Sequence, residues 1–315
     1  MKWIPKFRFS LRTIMILITL ICVALTPVGM RINQGYKQQQ AVAWVLENGG
    51  SVEYQYRYHE IKYGNREGTW VQLPTSIYST PKWLRDIFGN NFFETVIAVS
   101  LSPDYRTDKI ILNQPFDPSG NVQINTENSP SIFFHKKHSS AIALQVTDIN
   151  ILAQFSSLEM VNLTGTQITD LSPLAKHQNL RVLYLGETPI SDLAPLARLE
   201  KIEYLFLNDT RIANISLLSE FKELRCVDIS GTQVTDLRPL NGLTKLTILG
   251  FSETDVSDLT PLSDIESLQV LEFSDSKVTD LSPIMGNKHL KLLVLANTKV
   301  SKQDLLDIRA KIDAP

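Results

Sequence analysis

The chain has 315 residues, of which 43% are hydrophobic and 20% charged, and it carries a formal net charge of −2. That composition is ordinary for a globular protein and gives no basic face, so nucleic acid is excluded as the main partner. Of the two cysteines, Cys22 lies in an apolar run and Cys226 far downstream, so a disulfide framework is excluded as well.

The charge is unevenly placed. Residues 1–30 hold Lys2, Lys6, Arg8 and Arg12 and no acidic residue, which leaves 27 basic against 33 acidic side chains in residues 31–315. Residues 1–12 read as a basic cytoplasmic tail. Residues 13–30, TIMILITLICVALTPVGM, are eighteen residues without a charge. As a helix they reach roughly 27 Å, close to the thickness of a bilayer core. The upstream basics place the N-terminus in the cytoplasm and everything after residue 30 outside it. A cleaved secretory signal shares this layout. Small residues are not well placed for cleavage, however, and Ile21 precedes Cys22 where a lipoprotein signal needs a small residue. The reading is therefore an uncleaved transmembrane anchor.

Residues 31–135 read as a small α+β cap region. Lys37–Glu47 has a helical pattern and ends at Gly49-Gly50, a stop signal. Val52, Tyr54, Tyr56 and Tyr58 then fall on one face of a strand. A short helix is expected over PKWLRDIFG, with Pro81 near its start. Val96, Val99 and Leu101 are spaced LxxLxL, and Thr107 and Asp108 follow at the repeat distance described next, so degenerate repeats are expected from about residue 96. Residues 113–131, rich in Asn, Pro and Ser, read as loop.

Residues 136–300 are dominated by repetition. Stepping by 22 from Leu158 gives Leu180, Ile202, Leu224, Leu246, Leu268 and Leu290. Three residues on stand Val161, Leu183, Leu205, Val227, Leu249, Leu271 and Leu293, and two further on Leu163, Leu185, Leu207, Ile229, Phe251, Phe273 and Leu295. The unit is LxxLxLxxTxI(T/S)DLxPL, in seven copies, with a degenerate copy VTDINIL at 146–152. The LxL step has the period of a strand, and one unit cannot bury its own core, so the units must stack into a solenoid with a parallel sheet on its concave face. The Thr position (Thr166, Thr188, Thr210, Thr232, Thr254, Ser276, Thr298) offers a hydroxyl to the turn and a ladder from coil to coil. The segments at 169–174, 191–196, 235–240, 257–262 and 279–284 place Asp before a Pro-containing turn, which suits a thin convex side of short turns and 3-10 segments.

This unit resembles the 22-residue leucine-rich repeats of the internalin-like bacterial class. FRFSLRTIMILITL followed by AVAWVLENGGSVEYQY resembles membrane-anchored leucine-rich repeat proteins of the planctomycete type. Such families are mostly interaction proteins, and that is the function the resemblance implies. After Val300 the pattern breaks into SKQDLLDIRAKI, where Ser301 and Asp304 suit a capping box, so residues 301–315 read as a C-terminal capping helix.

No constellation for catalysis, metal or cofactor emerges. Asp170, Asp192, Asp236, Asp258 and Asp280 form a column, but each belongs to its own turn and is read as a cap on backbone amides. His135 and His138 flank two lysines, while His59, His177 and His289 stand alone and read as solvated loop residues. There is no nucleophile elbow, phosphate-cradling glycine loop or paired-Cys zinc motif. Sequons at Asn162, Asn208 and Asn214 follow from the repeat itself.

A partner is expected on the concave face. The column before the second repeat Leu holds Met160, Val182, Tyr204, Cys226, Ile248, Val270 and Leu292, and reads as strand propensity with partial cover by neighbours. The column after it holds Asn162, Tyr184, Phe206, Asp228, Gly250, Glu272 and Val294. Tyr184, Tyr204 and Phe206 form an expected aromatic patch with an acidic flank at Asp228 and Glu272, in a pattern typical of binding hot spots. The sequence thus points to a non-enzymatic, cofactor-free module on the extracytoplasmic side of a membrane, binding a protein or glycan. An envelope-structural, self-associating protein is the alternative, and an enzyme in residues 31–135 a distant third.

Overall fold

The computed structural model describes residues 11–54, 96–101, 123–125 and 146–312. Its centre is a stack of 22-residue coils, each giving one three-residue strand to a common sheet. In chain order the strands are β1 (Ser51–Tyr54), β2 (Val96–Ser100), β3 (Gln123–Asn125), β4 (Met160–Asn162), β5 (Val182–Tyr184), β6 (Tyr204–Phe206), β7 (Cys226–Asp228), β8 (Ile248–Gly250), β9 (Val270–Glu272) and β10 (Leu292–Val294). They form one sheet in the order β1-β2-β4-β5-β6-β7-β8-β9-β10-β3.

From β4 to β10 the register advances by 22 at every step, so Val161 lies beside Leu183, Leu183 beside Leu205 and so on. Identical repeat positions therefore stack, and the apolar columns of the sequence become continuous walls of the core. Leu158, Val161 and Leu163, and their counterparts down the stack through Leu271 and Phe273, are fully buried. Where the third column switches from aliphatic side chains to Phe251 and Phe273, the two rings stack with centroids 5.3 Å apart.

The turns are closed by polar atoms that the repeat supplies. Each aspartate of the convex motif accepts the backbone N–H two residues ahead, as in Asp170 with Ser172 (2.8 Å), Asp192 with Ala194 (2.8 Å) and Asp258 with Thr260 (2.8 Å). Asn214 does the same for Ser216. These bonds lead into short 3-10 turns such as Ser172–Leu174 and Thr260–Leu262, with Pro at their second residue.

The threonines bond the backbone of the turn as expected but do not form the ladder. Thr166, Thr188, Thr210, Thr232 and Thr254 donate to the carbonyl three residues back in their own coil, at 2.5–2.7 Å. The coil-to-coil ladder is built two residues earlier. There the N–H of Ser252 donates to the Ser230 hydroxyl (3.0 Å), that of Ser274 to Ser252 (3.0 Å) and that of Ala296 to Ser274 (2.9 Å). The reason is geometric: the threonine already lies past the strand, curled over its own turn.

Both ends are covered. Ahead of the repeats stands α1 (Leu11–Glu47), one helix of 37 residues with Pro27 inside it. Residues 13–30 and Lys37–Glu47, expected as a membrane span and a separate cap helix, are thus continuous. Most side chains of residues 11–30 lie outside the described residues. Among the described residues, no helix is long and apolar enough to cross a membrane. The C-terminal part of α1 turns Gly35, Gln38, Ala41 and Val45 inward, against the 3-10 turn Asn150–Gln154 of the degenerate coil. Gly49 ends the helix at φ +73°, and a Cβ on Gly50 would lie 2.4 Å from the Ser100 carbonyl. Two glycines are therefore needed where α1 hands over to β1.

β2 pairs in parallel with β4, with Val99 beside Val161, and β1 lies antiparallel beyond it. At the far edge β3 pairs in parallel with β10. The expected loop over 113–131 therefore contains a strand, because the edge of β10 leaves backbone groups open to pairing. The rest of that loop, Tyr56, Tyr58, Thr107, Asp108, the Pro81 helix, His59, His135 and His138 lie outside the described residues. The last coil is closed by α2 (Lys302–Ile312), whose Ser301 hydroxyl accepts the Asp304 N–H (3.1 Å) and bonds the Asp304 carboxylate (2.8 Å). Ile308 is buried against the core.

Candidate functional site

The candidate site is the concave face at β5 and β6. Tyr184 and Phe206 are in register on these adjacent strands, and their rings stack face to face, with centroids 4.4 Å apart and planes 3° from parallel. The distance is close to the strand spacing, which is why equal positions on neighbouring coils can stack aromatics without bending the backbone. Both rings are half-buried, as are Met160, Val182, Tyr204 and Ile248 in the neighbouring column. The face is thus apolar and partly accessible. Tyr204 has its phenol pushed above its ordinary range by burial first, and then by the charge of Glu203.

A charged row runs alongside. Arg181 donates from Nε to Glu203 Oε1 (2.7 Å) and from its terminal nitrogen to the same atom (2.7 Å), while Arg225 reaches Glu203 Oε2 at 3.5 Å. One carboxylate is therefore shared by two guanidinium groups, in a row of alternating charge that the step of 22 continues back to Glu159. This row was missed in the sequence, although the same step of 22 that found the leucines leads from Arg181 to Glu203 and Arg225.

The acidic flank is corrected by the structure. Asp228 and Glu272 are 1% and 2% exposed and do not offer free carboxylates to a partner. Asp228 Oδ1 accepts the Ser230 N–H (3.0 Å) and closes the turn after β7. Alternation along a strand tells which face a side chain is on, but only packing on that face decides whether solvent reaches it. Cys226, on the same strand, is buried too, and its thiol is pushed far up by burial and then by the Asp228 charge.

His177 is a second correction. Expected in solvent, it is 3% exposed, because it occupies the convex column filled elsewhere by Leu199, Phe221, Leu243 and Ile265. Exposed Glu253, Asp255 and Asp275 line an open groove with Thr232 and Gln233, where Asp255 is paired with Lys277 at 2.8 Å. Nothing there sets a nucleophile beside a base. Among the described residues, no three His, Cys, Asp or Glu side chains are placed to hold a metal.

The 22-residue coil, the single strand per coil and the 3-10 return define a leucine-rich repeat protein, of the internalin-like kind. Among solved structures it is similar to internalin C2 from Listeria monocytogenes, with 32% identity over 48% of this chain and 67% of that one, at a TM-score of 0.47. It is also similar to a second internalin from the same organism (23% identity, 54% and 57% of the two chains, TM-score 0.48). A leucine-rich repeat protein from Leptospira interrogans gives 21% identity, 51% and 43% coverage and a TM-score of 0.48. The chain thus spans two thirds of the first of these proteins and about half of the others. No family model and no curated protein matches the sequence.

Proposed function

We propose that this protein is a non-enzymatic interaction module that holds a protein partner on its concave face. The observation that carries this reading is the Tyr184–Phe206 stack on a half-buried apolar face, with Tyr204 beside it and the Arg181–Glu203–Arg225 row along its edge. Rigid aromatics presented by a fixed sheet lose little conformational freedom on binding, which is the property of hot-spot residues. A planar pair also suits the ring face of a sugar, so glycan is the second ligand class to test.

The reading includes a membrane anchor at residues 13–30, with the N-terminus cytoplasmic and the repeats extracytoplasmic. Its support is the uncharged run of eighteen residues and the four basic residues before it. Carbonate extraction and protease accessibility of the full chain in sealed vesicles test this part. Release by carbonate, or repeats digested only after lysis of right-side-out vesicles, would remove the anchor or its orientation.

For the concave face, the full chain and a form with Tyr184, Tyr204 and Phe206 all changed to Ala are used as baits in envelope extract. A protein or glycan retained by the first and lost by the second, at least about tenfold weaker for loss of one hot spot, supports the reading. Equal recovery by both, or recovery of the chain alone, would sink it and favour a self-associating envelope component.

A further inference from the structure

The seam between the N-terminal cap and the first full repeat is built on a titratable group. Stepping by 22 along the convex column gives Phe155, His177, Leu199, Phe221, Leu243 and Ile265, so an imidazole lies between Phe155 of the degenerate coil and Leu199 of the second. All of these side chains are buried. His177 Nε2 is enclosed and has no hydrogen-bond partner. A ring nitrogen in that position is tolerable when neutral and costly when it carries a proton and a charge.

Among the described residues, no carboxylate faces the ring. On its own coil the neighbour is Lys176, whose ammonium reaches back across the seam to the Ala153 carbonyl. The preceding coil offers the turn Asn150–Gln154, which contains no ionisable side chain, and the Asp148 carboxylate before it is engaged by the Asn150 N–H at 2.7 Å. On α1, which packs on that turn, the inward side chains are Gln38, Ala41 and Val45. On the following coil Arg198 and Glu200, either side of Leu199, are exposed.

We propose that His177 makes this seam acid-labile: once protonated, the ring leaves its apolar slot, and the cap formed by α1 and the degenerate coil detaches from repeats that stay folded. In a stacked solenoid each coil contacts only its neighbours, so opening at one interface need not spread. The direction of the ring's titration agrees. Burial first, and then Lys176, hold its pKa at about 4, below the ordinary 6.5, and outweigh a hydrogen bond to the Leu152 backbone that favours the charged ring. A depressed folded pKa means that stability is complete above about pH 6.5 and is lost as pH falls toward 4.

The test is hydrogen exchange on the full chain at pH 7.5 and pH 5, corrected for the intrinsic pH dependence of exchange. Peptides over 146–156 and 170–180 are expected to lose protection by more than about tenfold at pH 5, the effect of at least one pKa unit, while peptides over 240–275 hold theirs. His177→Leu, the residue used at the same position in two other coils, is expected to keep the seam closed at both pH values. His177→Gln is the second variant, polar but unable to titrate, and its seam should be equally protected at both. Unchanged protection of the native seam at pH 5, or acid opening that persists in both variants, overturns the proposal. So does a loss of protection spread evenly over all coils.

Discussion

Five side chains at one repeat position hold left-handed backbone: Glu187, Asp209, Glu253, Asp275 and Asn297 have φ between 54° and 57°. The same position in two other coils is Gly165 and Gly231, where that conformation carries no Cβ penalty. Glu253→Gly is therefore expected to stabilise the fold, by about 0.5–1 kcal/mol after the entropic cost of glycine, as read from urea unfolding. A destabilised variant would mean that the Glu253 side chain contributes more than its strained backbone costs.

The turn aspartates belong to the same scale. Asp170, Asp236 and Asp258 have carboxyls held below the usual range first by the side chains of Ser172, Arg238 and Thr260 and then by the backbone N–H of those residues. For Asp280 the Ser282 N–H comes first. Their folded pKa values are depressed, so their contribution is present above the unfolded carboxylate range and lost as pH falls through the folded values. Asp258→Ala should lower Tm at pH 7 and narrow the difference between pH 7 and pH 3, whereas Asp258→Asn should keep most of the turn, as Asn214 does in its own coil. A Tm for Asp258→Ala equal to that of the native chain would show the turn to be held by its proline alone.

At the level of elements, the two covers differ in kind. α2 is a short amphipathic cap whose box at Ser301 and Asp304 was legible, because a capping box needs only local spacing. Its hold on the core runs through Ile308 and Leu305. Ile308→Asp buries a carboxylate in the core and should fray the last coil, which hydrogen exchange would register as lost protection over residues 285–300 with the earlier coils kept. Unchanged protection there would mean that α2 contributes nothing to that coil. α1 was not read as one helix, because the change from apolar to polar sequence after residue 30 marks a boundary on local rules. Packing of Ala41 and Val45 on the degenerate coil anchors one end of it regardless.

For the whole molecule, stability is a sum over neighbouring coils. Leu205→Ala, in the fully buried column at β6, should cost about 2–5 kcal/mol and should weaken the coils on either side of it more than those at β9 and β10. Hydrogen exchange resolved by coil checks this, and an equal loss everywhere would show the stack to be one cooperative unit.

By itself the sequence determined the 22-residue period, the inward columns, the turn aspartates and the C-terminal cap. Each follows from residues whose positions are set by spacing along the chain, and equal spacing forces equal positions to stack. The tertiary structure decided what lies on those columns from outside. It withdrew Asp228 and Glu272 from solvent and put His177 in an apolar slot, whereas the step of 22 already sets Tyr184 beside Phe206 and Arg181 beside Glu203. Periodicity assigns a side chain to a face, but burial and charge depend on whatever packs over that face, and those contacts come from parts of the chain that no local pattern connects.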